Sequence, residues 1–312
     1  MPVTVVGSIA FDAVKTASGA REKMLGGAAV HFALAASFFD EVRVVGPVGD
    51  DFGDPELAVL RTRGIDVSDV EHVPGGRTFF WKGEYSWDFN ERETLDTQLN
   101  VFEHFDPKLS DASRASEVLF LANIVPDLQR QVRRQCEDAR FVALDSMNLW
   151  IDIARDSLVE TIGMVDCLIL NDAELRQLTG RAKLVGAARE VLSWGGPSVV
   201  VAKLGEYGAA LITADDYFQM PAFPLETVVD PTGAGDTFAG GFVGYIAAHP
   251  GEERSQEMLR RAMAYGTVIA SFNVEEFGTD RVARLTGEEI AARVGQLERM
   301  MHFSDSPLAL RS

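Results

Sequence analysis

The sequence predicts an α/β protein: a doubly wound, mostly parallel sheet sandwiched by helices, with a small β-rich lid. Two observations carry this. Short, near-continuous Val/Ile/Leu runs alternate with helix-period segments along almost all 312 residues, the pattern of a parallel sheet buried on both faces. A single stretch, Val70 to Asn100, breaks that alternation and has no good helix pattern. In order, strands are expected at Val3 to Ile9, Glu41 to Val45, Val118 to Ala122, Phe141 to Asp145, Cys167 to Asn171 and Ser198 to Lys203. Helices are expected at Ala28 to Phe39, Pro55 to Arg63, Asp127 to Asp138, Asp172 to Thr179, Leu184 to Trp194, Ala234 to Ala248, Ser255 to Phe272 and Glu288 to Met301.

Within the interruption, Thr78 to Tyr85 reads as a strand rich in aromatics, and Val101 to Pro107 as irregular. The chain therefore divides into a core of residues 1–69 and 106–312 and a β-rich flap of residues 70–105. Aromatics on such a flap close a ligand pocket, bury a dimer interface, or simply pack a hairpin on the core. The tail 302–312 reads as weakly ordered.

Composition narrows the partners. Net charge is −18, from 29 basic and 47 acidic residues, which argues against nucleic acid or an anionic membrane. No apolar run reaches membrane-spanning length, and the start, Met1-Pro2-Val3-Thr4-Val5, lacks the pattern of a signal peptide. The two cysteines, Cys136 and Cys167, are too few for a disulfide framework and have no metal-ligand spacing. A reducing cytoplasm is the expected location.

The chemistry concentrates in Asp230-Pro231-Thr232-Gly233-Ala234-Gly235-Asp236-Thr237-Phe238, followed by Gly240-Gly241. Glycines ahead of a helix let the backbone approach an anion and turn its free N–H groups toward it. A carboxylate in the same turn is poorly placed for a structural role, because it faces that anion. It is well placed to take a proton from a hydroxyl attacking a phosphoryl group. Neither Gly-x-x-x-x-Gly-Lys-Ser/Thr nor a Gly-x-Gly-x-x-Gly after the first strand is present, so a P-loop kinase and a plain Rossmann dehydrogenase are disfavoured. The later glycines are expected to pack the helix closely on the sheet.

This segment resembles the C-terminal signature of the ribokinase-like (PfkB-type) carbohydrate kinases. Other points fall in the same order: Gly7-Ser8-Ile9-Ala10-Phe11-Asp12 after the first strand, Gly26-Gly27-Ala28-Ala29, Asn171-Asp172-Ala173-Glu174, and Lys203-Leu204-Gly205-Glu206-Tyr207-Gly208. The resemblance implies an ATP- and Mg²⁺-dependent kinase, with Asp236 as general base and the amides of Gly233, Ala234 and Gly235 as an anion hole. It implies that Asn171 and Glu174 organise Mg²⁺, its waters and the nucleotide phosphates. By spacing alone, an Asn at a helix start with Glu three residues on is equally a capping pattern.

Lys203 is a phosphate contact or a solvated strand end, and Gly205 and Gly208 let the chain pass close to the nucleotide. The adenine wall is expected between Ala264 and Gly278. Asp12, Gly26 and Gly27 are the expected substrate contacts, through a carboxylate and two backbone amides. His31 stands where many members carry a sugar-binding Asn, and reads as a substrate contact or a core histidine. Asn100 and Arg92 are weaker candidates at the flap. Asp145 and Asn148 line the pocket, unless Asn148 caps the next helix. Some members bind a monovalent cation through the Asp230-Pro231-Thr232 segment and a C-terminal loop; Asp230 and Thr232 are present, but residues 272–279 depart from the usual pattern, so K⁺ activation stays open.

The leading reading is phosphorylation of a hydroxyl on a sugar or sugar-like polyol. A nucleoside or inositol kinase, or a non-catalytic sugar- or nucleotide-binding regulator on the same fold, are the alternatives. Several relatives pair lid against lid, which makes a homodimer the expected assembly.

Overall fold

The computed structural model describes residues 1–89, 92–252 and 255–302; most of the tail expected to be weakly ordered lies outside them. Nine described strands form one large sheet. In chain order these are β1 (Val3–Val6), β4 (Val42–Val48), β5 (Val70–His72), β8 (Val118–Leu121), β9 (Phe141–Asp145), β10 (Cys167–Asn171), β11 (Val199–Lys203), β12 (Ala209–Ile212) and β13 (Tyr217–Met220). They lie side by side as β13-β12-β11-β10-β9-β8-β1-β4-β5. All pairings from β5 to β11 are parallel; β12 and β13 add an antiparallel edge. The doubly wound sheet expected from the Val/Ile/Leu runs is what forms, because each run buries both of its faces.

Alternate residues feed two cores. Val3, Val5 and Phe120 pack under the helices Ala28–Ala36, Ala234–Ala247, Gln256–Asn273 and Gly287–Met301. Val6, Leu119 and Leu121 pack under Pro126–Gln135, Arg155–Ile162, Asp172–Thr179 and Leu184–Leu192 on the other face. The helix Ala234–Ala247 is buried at every residue from Thr237 onward. Its glycines meet helices, not the sheet as expected. A Cβ at Gly240 would fall 2.2 Å from the Phe32 carbonyl oxygen, and one at Gly241 would fall 2.9 Å from Gly266 Cα. Backbone-to-backbone packing on two neighbours leaves this helix, and the turn that starts it, little freedom to shift.

The small sheet differs from the expected flap. It is ordered β3-β2-β6-β7, with β2 (Ala10–Thr16), β3 (Gly19–Gly26), β6 (Phe79–Tyr85) and β7 (Arg92–Gln98). Half of it thus comes from residues the sequence reading left in the core. β5, assigned to the flap, instead extends the large sheet by pairing with β4. β3 escaped notice because Gly-Ala-Arg-Glu-Lys-Met-Leu-Gly is mostly exposed and has no apolar alternation. Residues Asn100–His104 form a 3₁₀ turn.

Candidate active site

The turn before helix Ala234–Ala247 is built from below. Gly233 has φ +74°, a left-handed conformation that favours glycine. His31 lies directly against it, so that a Cβ at Gly233 would fall 2.3–2.4 Å from three atoms of the imidazole ring. Asn273, fully buried at the end of its helix, ties the turn together. Its Nδ2 donates to the Thr232 carbonyl oxygen at 2.8 Å, while its Oδ1 accepts from Thr237 Oγ1 at 3.0 Å. Oδ1 also faces His31 Nδ1 at 3.1 Å. Since a carbonyl oxygen only accepts, the amide orientation is determined, and His31 must carry its proton on Nδ1. Burial pushes the His31 pKa down to about 4, so the ring is neutral. Asn273 was missed in the sequence; its one signal is a polar residue ending an otherwise apolar helical run. Of the three amides expected in the anion hole, Ala234 is already engaged, donating to the Pro231 carbonyl oxygen at 3.2 Å.

Asp236 sits in the first turn of this helix. Its pKa is raised to about 7, by burial first and then by the negative charge of Asp145, against the pull of Lys203 and Arg92. Lys203, at the end of β11, donates from Nζ to Asp145 Oδ2 at 2.8 Å. The same Nζ lies 3.0 Å from where a Gly235 Cβ would stand. Burial would lower the Lys203 pKa, but Asp145, Glu174 and Asp236 overcome it and hold the ammonium charged. A cation packed on the positive end of a helix makes sense only where negative charge gathers. The Asp145–Lys203 pair was not seen in the sequence, because 58 residues separate the partners.

Asp12 stands across the site on β2. Gly26 makes room for it: a Cβ there would fall 1.9 Å from Asp12 Oδ2. The Gly27 amide donates to its carboxylate. Gly27 itself has φ +97°, with Ser8 O 2.4 Å from its would-be Cβ, and starts helix Ala28–Ala36. Burial, then the charges of Asp230 and Asp236, raise the Asp12 pKa to about 7. A carboxyl whose folded pKa lies above its unfolded value destabilises the fold increasingly as pH rises from 3.8 to about 7, and fully above that. Asp12→Asn is therefore expected to raise Tm at pH 8 by roughly 2–4 °C, with a smaller gain at pH 5, where Asp12 is already protonated. Melting curves at the two pH values check this.

Other expected site residues have partners within the protein. Asn171 and Glu174 form a reciprocal capping box: the Asn171 amide donates to Glu174 Oε2 at 2.9 Å, and the Glu174 amide to Asn171 Oδ1 at 2.7 Å. Burial and Asp145 raise the Glu174 pKa, against Lys203. Asp230, fully buried, accepts from the Thr232 and Gly278 amides at 2.9 and 3.0 Å. Thr232 Oγ1 donates to the Tyr85 hydroxyl at 3.2 Å. The two segments expected to share a monovalent cation are thus bonded directly to each other.

Some expectations need correcting. His31 is 2 % exposed and packs against Gly233, a core position that supports the turn. Asn100 donates to the Thr78 carbonyl oxygen at 2.9 Å. It lines a cavity of about 210 Å³ with Phe11 and Phe80, and Phe11 alternates with Asp12 along β2, so this is the opposite face of the small sheet. Gly205 (φ +59°) has open space beside it, and Gly208 is demanded by Met220 O, 2.0 Å from its would-be Cβ. Each glycine has a reason within the protein. Asn148 is exposed and lies inside the first turn of helix Asn148–Ile153, with Met147 at the cap.

With this geometry in place, comparison with known proteins decides the family. A family model for pfkB family carbohydrate kinases matches residues 3–284. The chain belongs to the pfkB family. A cytidine kinase of Thermococcus kodakarensis is 29 % identical over 278 residues, covering 84 % of this chain and 97 % of that protein. A nucleoside kinase of Methanothermobacter thermautotrophicus is 26 % identical, covering 91 % and 93 %. The fold matches the Methanocaldococcus jannaschii nucleoside kinase with TM-score 0.78 at 20 % identity, covering 95 % and 98 % of the two chains. This pfkB-family chain is thus a sugar or nucleoside kinase, a phosphotransferase with a hydroxyl acceptor. No helix among the described residues is long and apolar enough to cross a membrane.

Proposed function

We propose that this pfkB-family kinase moves the γ-phosphoryl group of ATP to a hydroxyl of a sugar-like polyol, with Asp236 as the base. The observation that carries the reading is Asp236 in the first turn of a helix, near enough to Asp12 for its charge to act on that carboxyl. Asp12 and the Gly26-Gly27 backbone orient the acceptor. Asp236 accepts the hydroxyl proton as the acceptor oxygen bonds to the γ-phosphorus; the bond to the bridging oxygen breaks and ADP leaves with that electron pair. The Gly233 and Gly235 amides and Lys203 take up the negative charge on the moving group. An amide donor in such a position contributes about 3 kcal/mol.

Mg²⁺ fits a nucleotide-carried ion. Among the described residues no cluster of three or more His, Cys, Asp or Glu side chains could hold a metal by itself, while the partly buried Glu174 carboxylate lacks full compensation. Glu174 would hold the ion through water, and the ion would supply charge neutralisation for the nucleotide.

A nucleoside acceptor is the second reading. Trp81 is the register partner of Asp12, so their side chains share a face. Its indole lies over Gly83, where a Cβ would fall 2.2 Å from Trp81 Cη2, and it can stack on a base. The cytidine and nucleoside kinase relatives favour the same reading. An ATP-consumption screen over pentoses, hexoses, inositols, cytidine, adenosine and inosine tests both. Turnover on free sugars alone removes the nucleoside reading, and no turnover on the whole panel removes the kinase reading in favour of an idle regulator.

We also propose that two copies pair through the small sheet, where Trp87, Leu95 and Leu99 are 84 %, 46 % and 44 % exposed. Sedimentation at micromolar concentration should give a dimer; a monomer would count against it. The free, buried Cys136 and Cys167 suit a reducing cytoplasm.

A further inference from the structure

We propose that His31 and Asn273 are positioning residues for phosphoryl transfer, fastening the helix beside the acceptor to the turn that carries the base, so that Asp12 and Asp236 keep one fixed separation. The inference rests on the kinase reading above and adds two residues to it.

Asn273 ends helix Gln256–Asn273 and is fully buried. Its side-chain amide holds both flanks of the segment Gly233–Asp236. Before the segment, Nδ2 donates to the Thr232 carbonyl oxygen at 2.8 Å; after it, Oδ1 accepts from Thr237 Oγ1 at 3.0 Å. A third bond, from His31 Nδ1 to Oδ1 at 3.1 Å, leads to another helix. His31 lies in helix Ala28–Ala36, and its backbone amide donates to the Gly27 carbonyl oxygen at 3.1 Å. The Gly27 amide in turn donates to the Asp12 carboxylate. A short series of bonded residues therefore runs from Asp12 through Gly27, His31 and Asn273 to the turn that carries Asp236. The imidazole ring also packs against Gly233, so moving the two helices apart breaks close packing as well as hydrogen bonds.

Packing alone does not account for a histidine here. Its other ring nitrogen, Nε2, is buried with no hydrogen-bond partner among the described residues. An unpaired buried acceptor costs free energy, and a leucine of similar volume fills the space without that cost. What leucine lacks is the Nδ1–H donor to Asn273. Phosphoryl transfer is sensitive to such a link, because a misplacement of about 1 Å between reacting groups costs about 10²-fold in rate. A tie between acceptor and base accordingly acts on kcat more than on binding.

Steady-state kinetics on the full chain test this, with ATP and cytidine, or ribose where cytidine is not turned over. His31→Leu should lower kcat about tenfold, leave the acceptor KM within twofold and leave Tm unchanged or higher. His31→Asn returns a donor at the position of Nδ1 but leaves a void, so kcat should stay within threefold while Tm falls. A purely structural histidine would make rate follow stability through both variants, and that result overturns the proposal. An unchanged kcat in His31→Leu, or a raised acceptor KM with kcat held, overturns it too. Should His31→Leu not fold, His31→Asn decides alone: a rate within threefold supports the proposal and a larger loss overturns it. Failure of the unmodified protein to turn over any sugar or nucleoside would instead overturn the kinase reading, and the proposal with it.

Discussion

Asp236→Asn is expected to lower kcat by about 10²–10⁴-fold, the range a positioned general base contributes, while nucleotide binding persists. Asparagine keeps the shape of the side chain but cannot accept the acceptor's proton. It also removes a negative charge from beside the phosphates, so ATP affinity should hold or improve. The pH profile gives a second reading of the same residue. Burial and Asp145 raise the Asp236 carboxyl to about 7, so kcat/KM should rise with pH through that value as the base ionises. Asp12 is raised to about 7 by burial and by Asp230 and Asp236, so the rise belongs to the interacting pair. In Asp236→Asn the residual rate should lose the Asp236 share of that rise. Turnover within tenfold of the unmodified enzyme, with the acid limb intact, would sink the assignment of the base.

Gly233→Ala should damage both stability and turnover. Alanine at φ +74° carries left-handed strain of roughly 1–2 kcal/mol, and its methyl group would stand 2.3 Å from the His31 ring. The ring has no easy retreat, being 2 % exposed and bonded through Nδ1 to Asn273. Overpacking of this kind adds roughly 1–3 kcal/mol. Urea unfolding should show a loss of roughly 2–5 kcal/mol in total. Removing the obstructing ring in Gly233→Ala/His31→Ala should recover part of it, because the two sites are in contact and not additive. Equal stability of Gly233→Ala and the unmodified chain would mean that the turn is not held as described.

Both expectations rest on features that differ in how visible they are along the chain. The parallel sheet was legible because each strand is a local apolar run, and the anion turn because its glycines and Asp236 are contiguous. The small sheet was half hidden, since β2 pairs with β6 across more than 50 residues and β3, its other neighbour, has no apolar rhythm. Asn171 and Glu174 show the other limit: their spacing reads equally as a cap, and a capping box is present, with the Glu174 charge left undercompensated by burial.

Taken by itself, the sequence determined the fold class and pointed to the turn proposed for the phosphoryl chemistry, because periodicity and a short glycine-rich turn are local properties. Tertiary structure decided which charges meet there. It set Lys203 on Asp145, brought Arg92 over Trp81, and put His31 and Asn273 beneath Gly233. Those contacts join residues 58, 11 and 242 positions apart, or come from strands of a sheet that only packing assembles. Electrostatics and close packing act through space, and the order of residues along a chain does not encode that distance directly.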